Sequence, residues 1–216
     1  MLRNNFKYAF YLIVALTVFS VSAGSYDDYF FALKNDQAEV VGRLLALGFD
    51  PNTRDAQGEP GLQVAVRAQS AQAVRALLTR HDLDVNALNE AGESALMLAA
   101  LQGAMATTQW LLDSGAQVNQ PGWSALHYAA ASPQSRLVEL LLQRGAAIDA
   151  LSPNGTTPLM MAAKYGSEQS VAVLLAHGAD VRPRNQRALD AADFARLAGR
   201  DTLAARLAAV SADRAR

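Results

Sequence analysis

Cysteine is absent from the 216 residues, which removes disulfides, thiolate nucleophiles and thiolate metal ligands together. Histidine is nearly absent as well. The three that occur, His81, His127 and His177, never fall two to a helix at metal-ligand spacing, so no metal site is expected. Neither charge sign dominates: 19 basic against 20 acidic residues give a net charge of −1, which leaves no electrostatic case for nucleic acid. Phosphate-cradling glycine loops, Gly-x-Ser-x-Gly elbows and paired carboxylates on one helical face are also missing. The chain therefore reads as a non-enzyme without a cofactor.

Long apolar runs are scarce too. The uncharged stretch at 8–21 has 14 residues, short of the roughly 20 that a membrane-spanning helix needs. Arg3 and Lys7 flank it on one side, and Val21-Ser22-Ala23 offers small or tolerated residues on the other. That is the pattern of a secretory signal peptide over 1–23, with cleavage between Ala23 and Gly24; the competing reading is an uncleaved anchor. Removal of the leader leaves 193 residues with 17 basic and 20 acidic side chains, a net charge of −3. Together with the alanine and arginine richness, this places the expected product in a bacterial periplasm, as a monomer with no stable membrane insertion.

What the chain does have is repetition. The stretch 155–180 reads as helix, turn and helix. Thr157 is an N-cap, Pro158 presets φ at the first helical position, Gly166 breaks the helix, and Val171, Leu174 and Leu175 share one face of a second helix that Gly178 ends. A leucine after the helix start recurs at Leu62, Leu96, Leu126 and Leu159, its slot falling on Tyr29 before them and Ala192 after, at steps of 30 to 34 residues. Leucine pairs recur at 44–45, 77–78, 111–112, 141–142 and 174–175. Two short helices cannot bury such faces alone, so neighbouring copies must stack. Six units follow, at about 26–54, 55–88, 89–119, 120–151, 152–184 and 185–210, all within a domain over 24–210, with 211–216 as a disordered tail. The first unit, with Tyr29-Phe30-Phe31, and the last, starting at Asp190, read as caps.

The strings T-P-L-M-M-A-A from Thr157, S-A-L-H-Y-A-A from Ser124 and S-A-L-M-L-A-A from Ser94 carry a resemblance to the ankyrin repeat family. So do the L-L-x-x-G-A-x-x-N/D endings at 111–119 and 141–149. The resemblance implies an all-α ankyrin-repeat solenoid with short connecting β-turns or hairpins and a concave surface for a protein partner. Its variable positions are the hairpin tips, the residue after the repeat glycine and the two residues after the alanine pair. Here they are Gln57, Glu59, Arg67, Glu90, Glu93, Leu101, Gln102, Trp123, Asn154, Thr156, Lys164 and Tyr165. Trp123 and Tyr165 are the expected anchors, since large aromatics with a polar edge dominate interface energies.

Smaller features refine this picture. The connection at 119–122 is three residues shorter than that at 86–92, which leaves a notch in the row of tips beside Trp123. Asp36, Gln69 and Pro133 replace the mid-unit turn glycine. His127 is expected to bond near its helix start and to tether neighbouring loops, as the S-A-L-H string does in the family. Met97, Met160 and Met161 read as core fillers. Asp55, Glu59, Glu90 and Glu93 form an acidic stripe that suits a basic partner. The resemblance further suggests an accessory to a stress-defence enzyme such as catalase, or alternatively an immunity protein that occludes a secreted toxin.

Overall fold

The computed structural model describes residues 25–213, and the signal-peptide reading of 1–23 lies outside them. Among the described residues the chain forms twelve helices in six pairs: α1 (25–34) with α2 (Ala38–Ala46), α3 (Gly61–Arg67) with α4 (Ala71–Leu78), and α5 (Ala95–Leu101) with α6 (Met105–Asp113). They continue as α7 (Ala125–Ala131) with α8 (Ser135–Gln143), α9 (Pro158–Lys164) with α10 (Glu168–Ala176), and α11 (Ala191–Leu197) with α12 (Asp201–Asp213). This is the all-α architecture that the repeat pattern implies. Contacts divide the chain into two compact units, one ending at Leu83 and the other beginning at Asp84.

In the first unit, α2 packs on α4 and α3 on α4. Tyr29 is fully buried at its centre, with its hydroxyl on the Pro51 carbonyl at 3.2 Å and its ring 4.5 Å from that of Phe49. Gly61 makes room for it, because a Cβ there would lie 2.9 Å from the Tyr29 hydroxyl. The cap reading of the first repeat thus takes physical form: Tyr29 and Phe30 are buried, while Asp27, Asp28, Lys34 and Asp36 face water. Asp36 does more than that. From the turn between α1 and α2 its Oδ1 accepts the Gln72 and Ala73 N–H groups at 2.8 and 2.9 Å, so it serves as a surrogate cap for α4.

In the second unit, α5, α7, α9 and α11 form an inner row of adjacent helices, each seven residues long and rich in alanine. The outer helices α6, α8 and α10 lie beside one another in a second layer, and α12 packs on α11. Small alanines let the inner helices approach closely, and leucines such as Leu111, Leu141 and Leu174, all fully buried, fill the layer behind them. Burying each such leucine contributes roughly 2 kcal/mol. The inner helices start on side-chain caps. Ser94, Thr157 and Asp190 accept the N–H three residues on, and Pro158 follows Thr157 as the sequence predicts. Met97 and Met160 are buried, as expected of core fillers.

Repeats are tied at their ends by one recurring side chain. Within the first unit Asn52 donates to the Asp82 carbonyl at 2.8 Å. Within the second, Asn86 Oδ1 accepts from Gln117 N–H at 2.8 Å, and Asn119 both donates to the Gly145 carbonyl and accepts from the Ala147 N–H at 2.8 Å. Asp149 accepts from the Asp180 N–H at 2.9 Å. At the far end, α12 runs through Asp213, beyond the expected boundary at 210. Ser211 to Asp213 are therefore helical rather than tail, since no glycine or proline interrupts the run.

Candidate protein-binding face

Four turn tips project ahead of the inner helices, each closed by a backbone bond and an Asx or Ser side chain. Asp55, Asn89, Ser152 and Asn185 donate their N–H to the carbonyls of Glu59, Glu93, Thr156 and Leu189 at 2.9 to 3.0 Å. Their side-chain oxygens accept N–H groups further round the turn. Antiparallel bridges Arg54↔Pro60 and Leu88↔Ser94 make the tips over 54–60 and 88–94 miniature hairpins. Residues 119–122 carry no such bridge, so the expected notch is present, with Gly122 against Pro153 of the following tip.

In the first unit, the predicted residues Gln57, Glu59 and Arg67 come together. Glu59 Oε1 accepts from Arg67 Nε and Nη2 at 2.9 and 2.8 Å, a partly exposed pair worth under about 1 kcal/mol. With Lys34, Asp55, Val64 and Ala68 they line a shallow cleft of about 370 Å³. A neighbouring hollow of about 290 Å³ shares Lys34, Asp55 and Gln57 and is walled by Tyr26, Phe30 and the exposed Phe31. Lys34 was not legible as a site residue, because its place on a capping helix reads as a solvated charge.

In the second unit, the structure brings Glu93 and Trp123 to either side of Tyr128. The Tyr128 hydroxyl donates to Glu93 Oε1 at 3.0 Å, Asn89 Nδ2 donates to Glu93 Oε2 at 3.0 Å, and the Trp123 and Tyr128 rings meet edge to face at 6.4 Å. Burial first, then the bond to Glu93, pushes the Tyr128 phenol up to about 12, so it stays a donor near neutrality. Tyr128 went unpredicted because it sits in the register slot of the buried Leu98. A polar-tipped aromatic in a leucine position was the available signal.

His127 performs the expected tether. The Ser124 N–H donates to Nδ1 at 3.1 Å, which leaves Nε2 to donate to the Thr156 carbonyl at 2.9 Å. Burial holds the imidazole below its usual range, and Trp123 packs edge to face against it at 5.2 Å. This arrangement corrects one assignment. Thr156 is 2% exposed, its carbonyl taken by His127 and its N–H by Ser152 Oγ at 2.9 Å, so it belongs to the scaffold and not to the face. Asn154 is exposed, although its Oδ1 accepts from the Ser152 hydroxyl and the Thr156 N–H in its own turn.

Glu90 and Gln102 are exposed, Leu101 is 46% exposed and Tyr165 57% exposed, with Lys164 Nζ set 4.8 Å from the Tyr165 ring centre. The acidic stripe is less free than its sequence suggests. Asp55 folds onto its own turn and Glu59 onto Arg67. Among the described residues, no group of three or more metal-ligating side chains converges, and no helix is long and apolar enough to cross a membrane.

Repeated pairs of short helices, slim on the inner row, tied by end-of-repeat Asn and capped by S/T-x-x-M/H starts, define a class of modular helical scaffolds. Comparison with known proteins gives the class its family. Residues 29–121 and 106–185 match the family described as Ankyrin repeats (3 copies), and the chain belongs to the ankyrin repeat family. It is similar to the Nuclear factor NF-kappa-B p105 subunit of Gallus gallus, with 33% identity over 162 residues that cover 71% of the chain and 16% of that protein. Protein glp-1 of Caenorhabditis elegans is 30% identical over 189 residues, 80% of the chain and 15% of glp-1. Transient receptor potential cation channel subfamily A member 1 of Homo sapiens is 28% identical over 163 residues, 70% of the chain and 15% of the channel. The chain thus spans only a small part of each relative's length. Membership makes it a protein–protein interaction module, in a family that is generally non-enzymatic.

Proposed function

We propose that this chain is an exported, periplasmic binding module, and that the inner-helix face of its second unit holds another protein, as an accessory to a stress-defence enzyme such as catalase. One observation carries the face assignment. Leu101 and Leu197, the last residues of α5 and α11, and Tyr165, the residue after α9, are 46, 57 and 57% exposed. Leu101 and Leu197 hold one register and Tyr165 the next, and exposed apolar groups recurring at the ends of inner helices serve an interface better than they serve a solvated surface. Trp123, in the notch of the tip row, adds an anchor of the type that dominates binding energy.

The test begins with capture of a partner from periplasmic extract and measurement of its affinity for the wild type, Trp123→Ala and Tyr165→Ala. Each replacement is expected to weaken binding by roughly 2 kcal/mol, about thirtyfold. Unchanged affinity in both variants would remove the face assignment. Normal peroxide tolerance and catalase activity in a deletion strain would remove the accessory role.

A further inference from the structure

Asn154 and Gly155 are the one Asn-Gly pair in the chain. They lie at the apex of the tip over 152–156, where Asn154 is exposed and Gly155 holds φ 76°. Asparagine is chemically labile, and before glycine it has a reaction of its own in water. The Gly155 backbone nitrogen gives its proton to solvent base and attacks Cγ of the Asn154 carboxamide. An N–Cγ bond forms, the Cγ–Nδ2 bond breaks, and the amide group leaves as ammonia with a proton from solvent. Water then opens the five-membered imide at either carbonyl, which yields aspartate or isoaspartate. Glycine suits the attack because no Cβ hinders its nitrogen or restricts its backbone.

The fold withholds both reactants. The Gly155 N–H donates to the Ser152 carbonyl at 2.8 Å, so the nitrogen keeps its proton and is directed at Ser152 rather than at Cγ. The Asn154 Oδ1 accepts from the Ser152 hydroxyl at 2.6 Å and from the Thr156 N–H at 3.2 Å, which fixes the carboxamide in its own turn. Those donors also draw electron density from Cγ, but a polarised carboxamide without a free nucleophile does not react. Ser152 and Thr156 are buried, so water competes poorly for their bonds. Gln186 of the following tip closes the turn from outside, its N–H on the Asn154 carbonyl and its Nε2 on the Pro153 carbonyl, both at 2.9 Å.

We infer that Asn154 is a deamidation site protected by the closed tip, so that its conversion records opening of the turn over 152–156. Only the open fraction reacts, and the degree of slowing therefore measures the local opening equilibrium. The record is one-way. Aspartate keeps an acceptor oxygen for Ser152 and Thr156, whereas isoaspartate routes the main chain through Cγ and adds a methylene, which displaces the carbonyl that the Gln186 N–H uses.

The test incubates the purified chain in mildly alkaline buffer, the same chain in urea, and the peptide 150–158 as an open reference. Conversion at Asn154 is followed by mass and by isoaspartate mapping of the digested chain. The folded chain is expected to convert at least about tenfold more slowly than the peptide, and urea should restore the rate of the peptide. Ser152→Ala removes the hydroxyl bonds to Asn154 and Thr156 that brace the turn. With its helix content intact by circular dichroism, it should convert at least about threefold faster than wild type in buffer. Should that variant lose helix content, Gln186→Ala, which gives up only the bond to the Pro153 carbonyl, takes its place with the same expectation. Equal rates in the folded chain and the peptide overturn the protection, and no conversion in urea overturns the site. A folded variant that converts no faster than wild type overturns the closed tip as the cause.

Discussion

In the first unit the chain crosses between paired helices on Asp36 at φ 55° and Gln69 at φ 58°, whereas the second unit uses Gly103 at φ 72° and Gly199 at φ 70°. The remaining two crossings of the second unit avoid the left-handed region. At Pro133 the ring forbids it, and Ser132 takes an extended φ of −82° and ψ of 160° with its hydroxyl on the Ala129 carbonyl at 2.9 Å. Gly166 is not left-handed either. It is a glycine because a Cβ would fall 2.1 Å from the Ala130 carbonyl oxygen and 2.9 Å from the Ala162 Cα. Its own carbonyl meanwhile accepts from Arg200 Nη1 at 3.0 Å, a group that also reaches the Ala162 and Ala163 carbonyls. One slot in the repeat thus meets three separate demands: a left-handed backbone, a cap for another helix, or room for a neighbour.

The largest effect that would sharpen this contrast is at Gly166. Alanine there has an acceptable φ but no space, and backbone on both sides leaves nothing soft to give way. Gly166→Ala is expected to destabilise the second unit by about 3 kcal/mol or more, read as a lowered urea midpoint. A loss under about 1 kcal/mol would mean that the turn is as adaptable as those of the first unit.

A middle-sized effect separates the helix starts. Met97 and Met160 occupy the slot where α7 has His127, and their sulfurs lie 3.5 and 3.4 Å from the N-cap N–H groups that in α7 reach imidazole Nδ1. Only the imidazole titrates. Its native pKa is held below the unfolded value by burial, so stability is at its full value above about pH 6.5. It falls as pH drops further, by up to about 1.4 kcal/mol per unit, until the native group also protonates. Urea midpoints at about pH 7.5 and pH 5 should therefore diverge more for the wild type than for His127→Met. Parallel behaviour would assign the acid sensitivity elsewhere.

The smallest effects carry opposite signs. Gln69→Gly relieves a left-handed side chain and is expected to gain about 0.5 kcal/mol. Asp36→Gly relieves the same strain but forfeits the bonds to Gln72 and Ala73 N–H, and is expected to lose about 1 kcal/mol. If both variants gain, the Asp36 cap contributes nothing.

These turns also show where sequence reading succeeds. Leucine and alanine periodicity reports burial directly, so the helix pairs were legible; cap chemistry gave the Thr157-Pro158 start, loop length gave the notch at 119–122, and the family resemblance implied the His127 tether. Residue identity at a turn does not report which neighbour it touches. Gly166 and Gly103 are the same letter with different jobs, and Asp36 reads as a solvated charge until α4 is seen above it. Thr156 fails for the same reason. Its tip position suggests exposure, but its carbonyl is the acceptor for the His127 ring of the preceding repeat. The aromatic pair beside Glu93 was half visible, Trp123 as an anchor and Tyr128 hidden in a leucine slot.

The end-of-repeat tethers give the array a direction. Each of Asn52, Asn86 and Asn119 reaches forward to the close of the following repeat, so removing a repeat from the C-terminal side strips a partner from the one before it, while trimming from the N-terminal side orphans no carboxamide. The last joint, at Asp149, accepts a bond from Asp180 N–H but has no amide hydrogen to return. The second unit is thus stitched by carboxamides, which both donate and accept, at Asn86 and Asn119, and by a carboxylate, which can only accept, at Asp149.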